Sequence, residues 1–161
     1  MAGRGVEEGQ LTLLITDLVR STDLVQELGD LKSAGVFAQV EQLIRDRLAQ
    51  TDGLEIDKTD GFLLLFQEPM TAIRFALHMH ADLAHLADTL GLSLQVRCGI
   101  HVGHTILRHN APAAVARGAK PVEVEGIVKP TTARIMTLAH GGQTLISGVT
   151  HAICKLSLIH I

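Results

Sequence analysis

The sharpest pattern in the chain is an alternation. Leu92, Leu94, Val96, Cys98, Ile100 and Val102 take turns with Ser93, Gln95, Arg97, Gly99, His101 and Gly103. A period of two over so long a run predicts a strand over residues 92–103 with one covered face. Leu11 to Ile15 is nearly continuous apolar sequence and breaks at Thr16-Asp17. It predicts a buried strand over 10–17 that ends on Asp17. Residues 54–58 and 61–66 read as a hairpin turning through Lys58-Thr59-Asp60-Gly61. Short runs at 122–124 and 144–146 predict two further strands.

Between these runs the period changes. Ser21 or Thr22, both good caps, opens a helix that reaches Gly29. Val36, Val40, Leu43, Ile44 and Leu48 recur at helical spacing and predict a helix over 31–50, with Gly53 after it. Ile73, Leu77, Leu83, Leu86 and Leu90 do the same for 69–90, and Gly91 is the stop. Pro130 suits the first turn of a helix over 130–140, which Gly141-Gly142 ends. Residues 108–121 are polar, with Gly and Pro, and read as a mobile, irregular arm. Residues 1–9 read as a disordered N-terminus and 10–155 as one domain. Residues 156–161 resemble the in-frame translation of a sequencing-library adapter and are set apart as a non-native tail. A short final strand is the other reading of Leu156, Leu158 and Ile159. A truncated fragment would imply further domains of the same chain. The element order predicts an α+β fold: a ferredoxin-like, antiparallel-rich sheet with helices on one face.

Composition narrows the classes. The chain has 161 residues and 47% apolar content, enough for one domain with a sizeable core. Four Phe and no Trp or Tyr make that core aliphatic. A net charge of −3 argues against a broad basic surface and hence against nucleic acid as a partner. Cys98 and Cys154 stand in apolar contexts and read as buried free thiols of a reducing cytosol. The first residues are polar, and no apolar run has the length of a membrane span, so a cytoplasmic location is expected. Nine histidines lack His-Glu-x-x-His or Cys/His zinc spacing and read as surface or partly buried residues.

Asp17 and Asp60 are the candidate chemistry. If their strands are neighbours, two carboxylates meet at one end of the sheet. Such a pair suits a hard divalent cation that carries a phosphate. The plain alternative for Asp60-Gly61 is a type I′ turn with no further role.

Four segments, Leu11–Thr22, Glu55–Phe66, Leu94–Thr105 and Val122–Ser147, occur in an order and spacing that resembles the catalytic domain of class III adenylate/guanylate cyclases, of a divergent bacterial type. The resemblance implies attack of a ribose 3′-hydroxyl on the α-phosphate. ATP would become 3′,5′-cyclic AMP and pyrophosphate, the work of a phosphorus–oxygen lyase in intracellular signalling. It implies two Mg2+ or Mn2+ ions per site, held by Asp17 and Asp60. Leu18, Arg20, Ser21 and Thr22 would lie beneath the triphosphate. Arg20 stands where the family often has Gly, and would bind a phosphate or point to solvent. Ser21 and Thr22 would offer amides at a helix N-terminus, or simply cap it. Lys58, chosen over Ile56 and Asp57, and Glu123 would read the base. Glu123 as an acceptor for an adenine amino group favours ATP over GTP. Both would otherwise be solvated charges.

Arg134 matches the transition-state arginine. Pro130 replaces the asparagine four residues before it, and the hairpin is two residues short of the family pattern. The resemblance also implies a head-to-tail homodimer, because one chain supplies the aspartates and its partner the base readers and Arg134. The alternative is a weak or inactive cyclase homology domain that binds nucleotide or dimerises to regulate a neighbour. A diguanylate cyclase is disfavoured, since the chain has no Gly-Gly-Asp/Glu-Glu-Phe loop.

Overall fold

The computed structural model describes residues 5–159. Its spine is a pair of long strands. β1 (Val6–Leu18) and β4 (Val96–His109) pair antiparallel from Val6↔Arg108 to Leu18↔Val96. The hairpin of β2 (Leu54–Lys58) and β3 (Phe62–Phe66) joins the free edge of β1 through β3. β5 (Val122–Glu125) pairs antiparallel with the far end of β4, and β6 (Thr144–Ile146) runs parallel to its near end. The resulting six-stranded sheet has the order β2-β3-β1-β4-β5, with β6 also on β4. This is the antiparallel-rich α+β arrangement expected.

Side chains alternate across the sheet, so each face has its own core. On one face Leu14, Phe62, Leu64, Phe66, Cys98 and Ile100 meet helices α1 (Ser21–Leu28), α2 (Asp30–Leu48) and α3 (Pro69–Leu90). Val36, Val40, Ile44 and Leu48 of α2 are the buried stripe that the helical spacing marks. Each such fully buried side chain contributes on the order of 1.5–3 kcal/mol. Three of the four phenylalanines, Phe62, Phe66 and Phe75, are buried there, so the core is aliphatic around an aromatic centre. Both cysteines are free and buried, as expected.

The opposite face carries a smaller core of Leu13, Leu63, Leu65 and Val124, closed by Val128 of α5 (Val128–Leu138). A helix therefore lies on this face too, in addition to the layer read from the sequence. Glycine makes it possible. A Cβ at Gly99 would stand 2.8 Å from the Thr132 carbonyl oxygen, and one at Gly103 would stand 3.1 Å from Val128 Cγ2.

Four boundaries differ from the sequence reading. β1 begins at Val6, so residues 6–9 are strand where disorder was expected. Their backbone finds β4 as a partner, which local composition cannot show. β4 is displaced to 96–109. Leu92 and Leu94 lie before it, in the turn that follows the left-handed Gly91. The arm is shorter and partly ordered, with a helical turn, α4 (Pro112–Val115), inside it. A final helix, α6 (Gly148–Ile159), covers residues 156–159, where a short strand was the other reading. Residues 1–4, 160 and 161 lie outside the described residues.

Candidate functional site

Asp17 is the penultimate residue of β1, and its register partner in β4 is Arg97. Arg97 donates to Asp17 Oδ2 from Nε at 3.0 Å and from Nη2 at 2.8 Å. Its Nη1 donates to the Thr137 carbonyl in the last turn of α5 at 3.3 Å. One guanidinium thus ties the strand-end carboxylate to the helix on that face. Sequence reading missed Arg97 because its role depends on the β1–β4 register.

Asp60 is brought to the same place by its neighbour. Gly61 lies against the end of β1. A Cβ there would fall inside the van der Waals shell of the Thr16 carbonyl oxygen and 3.2 Å from Asp17 Cα. Only a hydrogen fits. The Phe62 amide donates to Thr16 Oγ1 at 3.0 Å, and the Thr59 amide closes the turn on the Gly61 carbonyl at 3.1 Å. The short β2–β3 turn is therefore clamped beside Asp17. Asp17 and Asp60 line one cleft of about 560 Å³, together with Leu18, Arg20, Ser21, Thr22 and Arg97.

The loop between β1 and α1 shapes the floor of that cleft. Arg20 caps α1 with a left-handed backbone, φ 57°, the one non-glycine residue with positive φ among the described residues. That conformation explains why glycine suits the position. The Arg20 side chain is 75% exposed and turns along the helix, with Nε donating to Asp23 Oδ2 at 2.7 Å. No side chain caps α1, so the Ser21 and Thr22 hydroxyls do not serve as caps. First-turn N–H groups have no partner within a helix, and those of α1 begin at this cleft.

The base-reading pair is not brought together. Lys58 sits opposite Phe62, on the α2 side of the sheet. Its Nζ lies 3.1 Å from Glu41 and donates to the Thr59 carbonyl at 2.6 Å. A bulge between Glu55 and Asp57 sets this facing and sends Asp57 to the other side. There Asp57 accepts from Lys120 Nζ at 2.6 Å. Asn110 Nδ2 donates to the Lys120 carbonyl at 2.7 Å and to Glu123 Oε1 at 3.4 Å. Asp57, then Glu123, hold the Lys120 ammonium above the usual lysine range. Glu123 thus keeps company with Asp57 and Lys120, not Lys58. Nothing in the sequence singles out Lys120, which projects from the arm. Arg134 and Pro130 are exposed on α5, and neither lines the cleft of Asp17.

Two of the histidines are fixed by neighbouring hydroxyls. His80 Nε2 meets Thr144 Oγ1 at 2.7 Å, and His101 Nδ1 meets Ser147 Oγ at 2.8 Å. Burial pushes both imidazoles below the ordinary histidine range, and burial pushes the Cys98 thiol up to about 12. No cluster of three or more His, Cys, Asp or Glu side chains able to hold a metal occurs among the described residues. Asp17 and Asp60 are therefore a two-carboxylate set. That fits Mg2+ or Mn2+ bound chiefly through phosphate oxygens and does not fit an all-protein cage.

The fold is that of class III nucleotide cyclase catalytic domains. The adenylyl cyclase CyaB from P. aeruginosa superposes with a TM-score of 0.84 at 16% identity, over 93% of this chain and 82% of that one. The catalytic core of a rhodopsin-guanylyl cyclase with converted specificity, in complex with ATPαS, gives 0.83 at 14% identity, over 95% and 85%. The guanylyl cyclase Cya2 gives 0.73 at 24% identity, over 91% and 78%. In sequence, the chain is similar to uncharacterized proteins of Mycobacterium tuberculosis and Mycobacterium bovis, each 28% identical over 148 residues. That match spans 88% of this chain and 44% of each relative, less than half their length. No protein-family model matches the chain.

Proposed function

We propose that this chain is a nucleotide cyclase domain that converts ATP, in preference to GTP, to 3′,5′-cyclic AMP and pyrophosphate. The observation that carries the reading is the convergence of Asp17 and Asp60 in one cleft, enforced by Gly61 against the end of β1. Asp17 and Asp60 would hold Mg2+ or Mn2+ borne on the triphosphate, which when bound neutralises phosphate charge and makes the 3′-hydroxyl easier to deprotonate. Leu18 to Thr22 supply the floor, where backbone amides at the start of α1 receive phosphate oxygens. Arg97 stands ready to exchange Asp17 for a phosphate oxygen.

Arg134 and Glu123 lie away from this cleft, so the reading includes a homodimer in which the partner brings both residues to it. Glu123 accepts from the adenine amino group, and Lys120 takes the donor part expected of Lys58. Among the described residues no helix is long and apolar enough to cross a membrane. The test is incubation of the protein with ATP or GTP and Mn2+, with mass spectrometry of the products. Cyclic AMP is expected, and its absence with both nucleotides sinks the reading.

One observation favours a second reading, a nucleotide-binding or dimerising regulatory module. Pro130 offers neither a side-chain donor nor an N–H group in the first turn of α5. A single transition-state donor is usually worth ~100-fold or more in rate. Pro130→Asn should then raise cyclic AMP formation by up to about 100-fold. A Pro130→Asn protein that binds ATP and makes no product supports the regulatory module.

A further inference from the structure

The β2–β3 turn has a second side. Behind it, between the turn, β1 and α2, lies a separate cavity of about 170 Å³. Its floor is apolar: Phe37, Val40 and Ile44 from α2, with Leu18, Phe62 and Val96 from the sheet side. Its rim is polar and carries Ser21, Glu41, Lys58, Thr59 and Asp60. The turn cannot sink to fill it, because Gly61 already rests on the Thr16 carbonyl.

One pair of rim charges is matched within the protein, and a second ion pair lies beside it. Lys58 pairs with Glu41 at 3.1 Å, and Arg45 with Glu55 at 2.8 Å. Lys58 and Arg45 both stand over the Phe62 ring, at 5.8 and 5.4 Å from its centroid. A charged group entering the cavity would meet both signs at the rim, Glu41 and Asp60 together with Lys58. The rim favours neither sign, and the apolar floor favours a partner without charge. The volume is that of one small ring, since a dry apolar cavity of about 150 Å³ accepts a benzene. Two aromatic rings in the lining suit a flat partner. The hydroxyls of Ser21 and Thr59 on the rim suit one hydrogen-bonding group.

We propose that this cavity is a binding site for a small uncharged amphipath, an aromatic ring bearing one hydroxyl or N–H group, and that its occupation controls the neighbouring cleft. Leu18, Ser21 and Asp60 line both spaces, so the end of β1, the start of α1 and the turn form their shared wall. A ring seated on Phe37 and Phe62 holds the turn in place and with it the Asp60 carboxylate. The binding half stands alone. The control half rests on the reading of Asp60 as a metal ligand.

Indole is the probe. Titrated into the protein, it should shift the methyl resonances of Val40 and Ile44 in a saturable way. Val40→Phe fills the floor and should weaken that binding at least about tenfold, a change of ~1.4 kcal/mol. If Val40→Phe does not fold, Phe37→Ala, at a partly exposed position, should weaken indole binding in the same direction. At saturating indole, Mn2+ affinity should rise about fivefold, the low end of ordinary coupling between sites, and Asp60→Asn should abolish the rise. No saturable shift, or a shift that both cavity variants leave unchanged, overturns the site. Unchanged Mn2+ affinity overturns the control. Indole binding with coupled Mn2+ but no cyclic product supports this inference and counts only against the cyclase reading.

Discussion

Arg97 decides the resting state of Asp17. Its two bonds to Asp17 both fall on Oδ2, so any cation drawn to Asp17 must contend with the positive charge of a guanidinium already in contact. Removing that positive charge favours metal. Arg97→Gln is expected to tighten Mn2+ binding about fivefold, from the ~1 kcal/mol that a partly exposed pair of charges is worth. A Mn2+ titration followed by electron paramagnetic resonance reads this directly, and weaker binding in the variant would refute the competition. His80 and His101 set a second residue-level expectation. Burial lowers both imidazole pKa values, so the folded protein holds fewer protons than the unfolded one as pH falls below the ordinary value of ~6.5. Their contribution is therefore complete above that value and is lost as pH falls towards the lower folded values. Urea midpoints should rise with pH from about 5 to about 7 and level off above it. The double variant His80→Gln, His101→Gln should show a flatter slope.

At the scale of elements, the β2–β3 turn is the critical joint. Gly61→Ala forces a methyl group into the Thr16 carbonyl, so the turn must lift from β1. A loss of about 2–4 kcal/mol is expected, as for other backbone clashes, together with loss of Mn2+ affinity as Asp60 leaves Asp17. Chemical denaturation and metal titration of one sample check both. The sequence made some elements plain and hid others. α3 matches its reading at both ends because Pro69 and Gly91 punctuate an uninterrupted helical stripe. The hairpin was equally plain, because Asp60-Gly61 divides two apolar runs. The facing of Lys58 was not, since the bulge before it reverses the alternation and is set by pairing with β3. α6 was hidden because Leu156, Leu158 and Ile159 permit strand and helix alike. The second-face packing of α5 was hidden because Gly99 and Gly103 give no apolar signal where a helix approaches closely. Asp17 and Asp60 were legible as strand-end and turn carboxylates, whereas Arg97 and Lys120 needed the register and the arm.

The whole molecule sets the remaining expectation. One chain gathers Asp17, Asp60 and Arg97 in a cleft and leaves Arg134 exposed on α5. If catalysis uses two chains, an Asp17→Ala protein mixed with an Arg134→Ala protein should regain one competent site per heterodimer. Activity in the mixture well above either parent supports the shared site, and none, with both variants folded, refutes it. The β1–β4 ribbon carries a further consequence, for synthesis. Asp17 and its guanidinium partner are separated by 80 positions along the chain. The central strand pair cannot zip until β4 has left the ribosome, and so long a closure is slow to find. Until then β1 has only β3 to pair with, and its other edge stands open, the kind of edge that invites association with other chains. The aspartate cleft is thus a late product of folding. A nascent chain arrested before β4 would display the first half of the site and be unable to use it.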